Sequence, residues 1–424
     1  GFAAPAGIAW RVATLPLLFV GGLSLLALLL WPRGGPQPER TAALVLLLVG
    51  AGSGLALSAD LFNLFVLLEL AALAAVGLVV SDGGGASAAA GLRLLLLEAA
   101  ASGLALLGIA LVFAATGTLN LAQLATVAPE TMSEPLRLVA FALLLAGFAV
   151  KAELFPVNTW VPEVYGATSP RVAGILAGGV SKLALLAVLH LHVTAFAGPR
   201  AGALLLTVGA LTVLAGAFAA LASAHLPRLL GYSSIGQLGL VAMAFALPDG
   251  IGVAAGAAVG LHHLVVKPAL FVLSDGWPRG VHALAGTART QPVRAAVFAL
   301  LVLSLVGVPP LPGFWAKLML LQAMASAGGA AWIALALVLL LTVVEAVFLL
   351  PVVRRLYTPT EGGATPENRG WWRALPLAAG VVAATILAAP VGRGLDEAAG
   401  GYASAHAEEP PDAGPARNEQ GVRP

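Results

Sequence analysis

Stretches of about twenty consecutive apolar residues, long enough to cross a bilayer as a helix, recur along the whole chain. Hydrocarbon offers the backbone no hydrogen-bond partner, so only helices and closed barrels span it. The alternating pattern of an outer-membrane barrel is absent. Hydrophobic residues make up 59% of the 424 and charged residues 10%, against about 25% charged in a soluble domain. The sequence therefore predicts an all-α integral membrane protein.

Hydropathy places about twelve spans, at 12–31, 42–58, 61–80, 88–115, 136–155, 171–196, 203–224, 230–247, 251–273, 293–325, 331–350 and 374–389. Asp60 reads as the N-cap of the third, which ends in the Ser81-Asp82-Gly83-Gly84-Gly85 breaker. Residues 116–134 read as a polar amphipathic connection, 156–170 as a proline-broken segment, and Gly231 to Gln237 as a turn opening the eighth span. The fifth and tenth spans should break near Pro156 and Pro309. Residues 1–7 lack the basic start of a signal peptide and read as a trimmed N-terminus. The tail after Gly392, rich in Pro, Gly, Ala and acids, reads as disordered.

Blocks 42–198 and 199–357 each hold five spans and one proline-broken region. An odd number of spans inverts the second block relative to the first, and paired breaks point to a transport path near the midplane. Residues 1–41 supply a preceding helix and loop, 358–392 the last helix and 393–424 the tail. Arg33, Arg40, Arg228, Arg279, Arg289, Arg294, Arg354, Arg355, Arg369 and Arg373 fall on one face, against Arg137, Arg200 and Arg393 on the other. The excess marks the cytoplasmic side and puts both ends of this chain outside.

The chain has four lysines, Lys151, Lys182, Lys267 and Lys317, each inside or at the edge of an apolar segment. Every other one of its 22 basic residues is arginine. Arginine keeps its charge, whereas a buried lysine can release its proton. An arginine-rich composition alone does not place lysine in apolar helices, where charge is expensive. This distribution points to proton movement. Glu69 stands alone in an apolar run and needs a cation; the natural partners are Lys151 and Lys182. A lysine held by a carboxylate keeps its proton, and separation lets it go. The alternative is a structural ion pair fixing two helices. Glu153, two residues from Lys151, faces the opposite side of a helix and ranks below Glu69. His263 and Lys267 share a helix face at i, i+4, beside His262, as a relay or as ordinary interhelical hydrogen-bonding groups. Glu98 and Glu345 are intramembrane acids without an assigned partner. His190 and His192 read as interfacial or loop-facing, and Trp31, Trp371 and Trp372 as interfacial anchors.

The segments DLFNLFVLLEL, VKAELFP with the following W-V-P, GYSSIGQLGL, LHHLVVKPALF and GVPPLPGFWAKL resemble the antiporter-like membrane subunits shared by respiratory complex I, membrane-bound hydrogenases and Mrp-type multisubunit cation/proton antiporters. The last two look most like the D subunit of the Mrp type. The resemblance runs nearly to Tyr357. It implies a fourteen-helix fold, of which this chain starts after the first two helices, with two inverted five-helix repeats and a row of protonatable residues across the membrane centre. By the same resemblance, Glu69 and Lys151 match the ion pair and Lys182 the bridging lysine. His262, His263 and Lys267 match the central group, and Lys317 the lysine of the second broken helix. Val157-Asn158-Thr159 departs from the aromatic or histidine residues expected after the first break.

The resemblance implies other membrane subunits of one complex as partners, protons and Na+ as the ions moved, and a prokaryotic inner membrane as the location. The alternatives are the same fold driven by a redox module, and a scaffold subunit that no longer conducts. The surrounding partner is lipid; no phosphate-binding, nucleophile-elbow, zinc-spacing or nucleic-acid signature is present. With no cysteine there is no disulfide, cysteine-ligated zinc or iron–sulfur cluster. His190/His192 and His262/His263 are spaced too closely to stack two haem ligands on one helix. No cofactor is expected.

Overall fold

The computed structural model describes residues 7–33, 37–247, 250–360 and 370–407, with side chains as far as Tyr402. Arg369 and the tail beyond residue 407 lie outside the described residues. The helices in chain order are α1 Thr14–Leu29, α2 Pro38–Leu57, α3 Leu61–Ser81, α4 Gly85–Thr116, α5 Leu121–Thr131 and α6 Glu134–Ala149. They continue with α7 Trp160–Ala167, α8 Pro170–Gly178, α9 Val180–Thr194, α10 Pro199–Leu221, α11 Leu226–Phe245 and α12 Gly250–Leu273. The last are α13 Thr287–Thr290, α14 Pro292–Val306, α15 Pro312–Ala327, α16 Ala331–Tyr357, α17 Leu375–Ile386 and α18 Ala388–Ala407.

Among the described residues, seven helical stretches are long and apolar enough to cross a membrane, one of them formed by α8 and α9 together, or eight if the bent pair α17–α18 counts as one span. Each of the twelve predicted spans contains helix, and the shortfall has local causes. The fifth span ends at Ala149, and chain without regular helix leads to α7. The tenth divides into α14 and α15. α1 has only 16 residues, and α11 carries Tyr232, two serines and Gln237. The predicted turn from Gly231 to Gln237 is instead helical, inside α11. Its small residues serve packing. A Cβ on Gly239 would lie 2.7 Å from the Gly209 carbonyl oxygen, and one on Gly216 2.7 Å from the Gly236 nitrogen. In a membrane such residues let two helix backbones touch.

Other corrections follow from burial. The tail is helical as far as Ala407 and bends 90° from α17. Leu395, Ala398, Ala399 and Tyr402 of α18 are buried at i, i+3, i+4, i+7 spacing, one face of a helix. His190 and His192 are also buried; His192 packs on Phe141 and His190 on Tyr402, so neither faces a loop. Asp60 caps α3 as expected, accepting from the Asn63 amide at 2.8 Å. Asn120 does the same for α5, making a helix of the connection read as polar.

Loop contacts define two rims. At one, the Ala59 amide donates to Ala9 and the Leu61 amide to Leu119, and Arg200 pairs with Glu134 at 3.0 Å. At the other, Asp82 accepts from the Ser169 amide, the Leu226 amide donates to Arg279, and Arg373 reaches the Trp31 carbonyl at 3.3 Å. The second rim collects the arginines.

Between the rims the buried apolar side chains form two clusters, one above the other. On α3, Leu61, Leu64 and Leu68 belong to the first and Ala71, Ala74 and Leu78 to the second; Glu69 falls between. On α11, Ile235 and Leu238 belong to different clusters with Gln237 between. On α16 the boundary, between Leu341 and Phe348, holds Glu345. On α12 it lies between Leu264 and Val266, flanked by His263 and Lys267. Four helices change cluster at a polar residue, so the polar groups share one depth.

Candidate functional site

At that depth the structure gathers the predicted residues into two ion-paired clusters and a centre. In the first cluster Lys151, directly after the C-terminus of α6, is 3% exposed. Its ammonium donates to Glu98 Oε2 on α4 and lies 3.8 Å from Glu69 Oε1 on α3. Glu98 is buried, whereas the Glu69 side chain is 31% exposed and accepts from Ser102 Oγ at 2.5 Å. The acid without an assigned partner is thus the closer counter-ion. Glu69 is the second, and Lys182 is not its partner.

In the second cluster Lys317 Nζ donates to Glu345 Oε2 at 2.6 Å and to the Val306 carbonyl at 3.0 Å. Gln237 Nε2 donates to Glu345 Oε1 at 2.7 Å. Gly307, at φ 94, ends α14 in a left-handed turn, a conformation glycine adopts without the Cβ penalty.

The centre holds Lys182, Lys267, His263 and Glu153, each at most 1% exposed. Lys182 Nζ donates to the Ala177 carbonyl, beside the α8–α9 break, and to Ser181 Oγ at 3.1 Å. Lys267 Nζ donates to the Leu230 carbonyl at 3.0 Å. His262 Nε2 and Ser304 Oγ are 2.8 Å apart, with Lys317 in electrostatic reach. Both ring nitrogens of His263 lack a hydrogen-bond partner, and Lys182, Lys267 and His262 surround the ring electrostatically. Lys267 feels Glu345 on one side and Glu153 on the other, so charge alternates from Lys182 to Lys317.

Three of the lysines sit where a half-helix ends. Lys151 follows the C-terminus of α6, Lys182 reaches the end of α8, and Lys317 touches the last carbonyl of α14. A helix C-terminus carries partial negative charge that favours a cation. The breaks thus make cation sites inside a membrane bundle, as broken helices do in transporters. Sequence reasoning missed Gln237, Ser102, Ser181, Ser304 and Tyr165; a lone hydroxyl or amide in an apolar helix is the one signal each offered.

Comparison with known proteins places the fold. The protein named NADH-quinone oxidoreductase subunit N of Desulforudis audaxviator (strain MP104C) is 32% identical over 332 residues, 76% of this chain and 66% of that one. The D subunit of a probable K(+)/H(+) antiporter of Rhizobium meliloti (strain 1021) is 34% identical over 353 residues, 74% and 64% of the two. This chain thus spans about two thirds or less of the length of each. A chain in the structure of the membrane-bound sulfane sulfur reductase, an archaeal respiratory membrane complex, superposes with a TM-score of 0.87 at 29% identity, covering 96% of this chain and 86% of that one. Residues 58–344 match the family described as NADH:quinone oxidoreductase/Mrp antiporter, TM. The chain is a multi-pass membrane protein belonging to that family.

Proposed function

We propose that this chain is the proton-translocating, antiporter-like subunit of a multisubunit complex in a prokaryotic inner membrane, exchanging Na+ or another monovalent cation for protons as in the Mrp type. The observation that carries the reading is the polar layer: lysines and carboxylates alternate at one depth, between two apolar clusters, at the ends of broken helices. The mobile charge passes along Glu69, Lys151, Lys182, His262, His263, Lys267 and Lys317, with Glu98 and Glu345 as holding counter-ions. A lysine released by its carboxylate gives up a proton; the next lysine, resting on a carbonyl, can take it. Blocks 42–198 and 199–357 act as inverted halves, each with a proline-bearing break and one paired lysine. The arginine-bearing rim faces the cytoplasm.

Other membrane subunits complete the site. The Glu69 side chain is 31% exposed, where hydrocarbon would be a costly neighbour for a carboxylate, and a neighbouring subunit covers it. A redox-driven version of the same subunit is the second reading, favoured by the likeness to the respiratory complex. The test uses the co-purified complex in vesicles containing a pH dye. An imposed Na+ or K+ gradient should drive proton movement, and Lys151→Ala and Lys317→Ala should abolish it with the complex intact. A wild-type complex that responds only to an added electron donor belongs to the second reading. Full proton movement in both alanine variants sinks both readings.

A further inference from the structure

Glu153 is fully buried, carries positive φ and is absorbed by neither cluster. Its φ is 60° in the chain between α6 and α7, a conformation uncommon for residues other than glycine and found where surroundings impose it. The carboxylate meets Tyr165, Lys182 and Lys267, not Lys151. The groups facing it come from every element packed there: Tyr165 on α7, Ser181 and Lys182 on α9, and Lys267 on α12. Glu153 Oε1 accepts from the Tyr165 hydroxyl at 2.8 Å, while Oε2 has no hydrogen-bond partner. Neither lysine is in ion-pair contact with it; the salt bridges of Lys151 and Lys317 go to other acids. A buried carboxylate with one open oxygen and no ion-pair contact is a poor structural anchor, since buried charge without full pairing is strongly unfavourable. It is well placed to gain and lose a proton.

Tyr165 is also one of the residues lining a cavity of about 230 Å³, with Thr168, Pro227, Ser274, Asp275 and Arg279, at the arginine-bearing rim. Tyr165, itself fully buried, thus borders both the cavity and the carboxylate.

We propose that Glu153 is the proton-carrying carboxylate that connects the arginine-bearing rim to the Lys182–Lys267 centre, entering through the Tyr165 cavity. The inference rests on the proton-translocating reading above. The step is a plain proton transfer. The phenol O–H of Tyr165 breaks as an O–H bond forms on Glu153, and the phenol oxygen takes a replacement proton from a hydronium ion in the cavity. The Glu153 O–H then breaks as an N–H bond forms on whichever of Lys182 or Lys267 is unprotonated. No other bond changes.

The experiment uses the same vesicles. Glu153→Gln should slow gradient-driven proton movement at least tenfold with assembly unchanged, Glu153→Asp should retain part of the rate with an altered pH profile, and Tyr165→Phe should slow it several-fold. A Glu153→Gln rate within twofold of wild type overturns the inference, as does an unchanged rate in Tyr165→Phe, because the proton reaches Glu153 through the phenol. Should Glu153→Gln not assemble, the Asp variant decides, and an unchanged rate and profile refute the proposal. Lys151→Ala and Lys317→Ala in parallel separate the two ideas. If Lys151→Ala and Lys317→Ala are dead while Glu153→Gln is active, the connection through Glu153 fails and the translocation reading stands; full activity in both alanine variants sinks the reading itself.

Discussion

Lys151 has two carboxylates, and the structure assigns them unequal tasks. Glu98→Gln removes a buried, charge-assisted hydrogen bond, worth about 1.5–3 kcal/mol. It leaves the ammonium only Glu69, 3.8 Å away and 31% exposed. Relief of the repulsion between Glu98 and Glu69 offsets part of that loss, giving about 2 kcal/mol. Glu69→Gln removes only the longer, partly exposed pair, worth up to about 1 kcal/mol. A difference of one to two kcal/mol is about 5- to 30-fold in an equilibrium. The assay is the fraction of intact complex against temperature, read by size exclusion of the purified assembly. Glu98→Gln should come apart at distinctly lower temperature than wild type, and Glu69→Gln close to it. Transport should invert the order of interest: Glu69→Gln should lose about tenfold in proton movement while the complex stays whole. A Glu69→Gln assembly as heat-labile as Glu98→Gln would refute the assignment of the holding role to Glu98.

Lys151→Arg should assemble yet fail to translocate, because arginine keeps its proton; wild-type dye response in that variant shows that Lys151 supplies only charge. Gly216→Ala and Gly239→Ala should each push α10 from α11, since a Cβ at either meets backbone within 2.8 Å; reduced heat stability without a changed pH profile is the expected readout. Gln237→Leu strips Glu345 of one of its two hydrogen-bond donors, about 1.5–3 kcal/mol for a bond to a charged group, and should lower both stability and rate. His225, at the arginine-bearing rim, is held below its ordinary range by burial and then by Arg228 and Arg279. The unfolded chain therefore binds the extra proton first, so this residue should make stability fall as pH drops below about 6.5; His225→Gln should flatten that limb of a pH–stability curve.

The lysines were legible because an apolar context isolates them, and the breaks near Pro156 and Pro309 because proline cannot continue a helix; the α8–α9 break at Gly179 was not. The pairings were not. Glu98 and Lys151 are 53 positions apart, and what brings α4 to α6 is the contact of Gly147 with Ala101 and Ala105, which leaves no mark in hydropathy. The orientation of Glu153 follows from one backbone angle in irregular chain, where helical spacing rules no longer apply. Glycines and serines read as a turn in GYSSIGQ because they favour turns in water; between two membrane helices they serve close packing. For α18 the composition misled, while the spacing of Leu395, Ala398, Ala399 and Tyr402 was available in the sequence as one helical face.

The ammonium groups of Lys182, Lys267 and Lys317 all lean on main-chain oxygens, those of Ala177, Leu230 and Val306. The backbone thereby plays the part that water plays around a free cation, as a permanent solvent with its dipoles already aimed. Such dipoles need little reorientation when charge arrives or leaves, which is how fixed polar groups lower barriers in enzymes. They are also beyond the reach of substitution. Exchanging the side chain of residue 177, 230 or 306 leaves its carbonyl in place, so these three resting sites can be altered only by bending the helices that carry them.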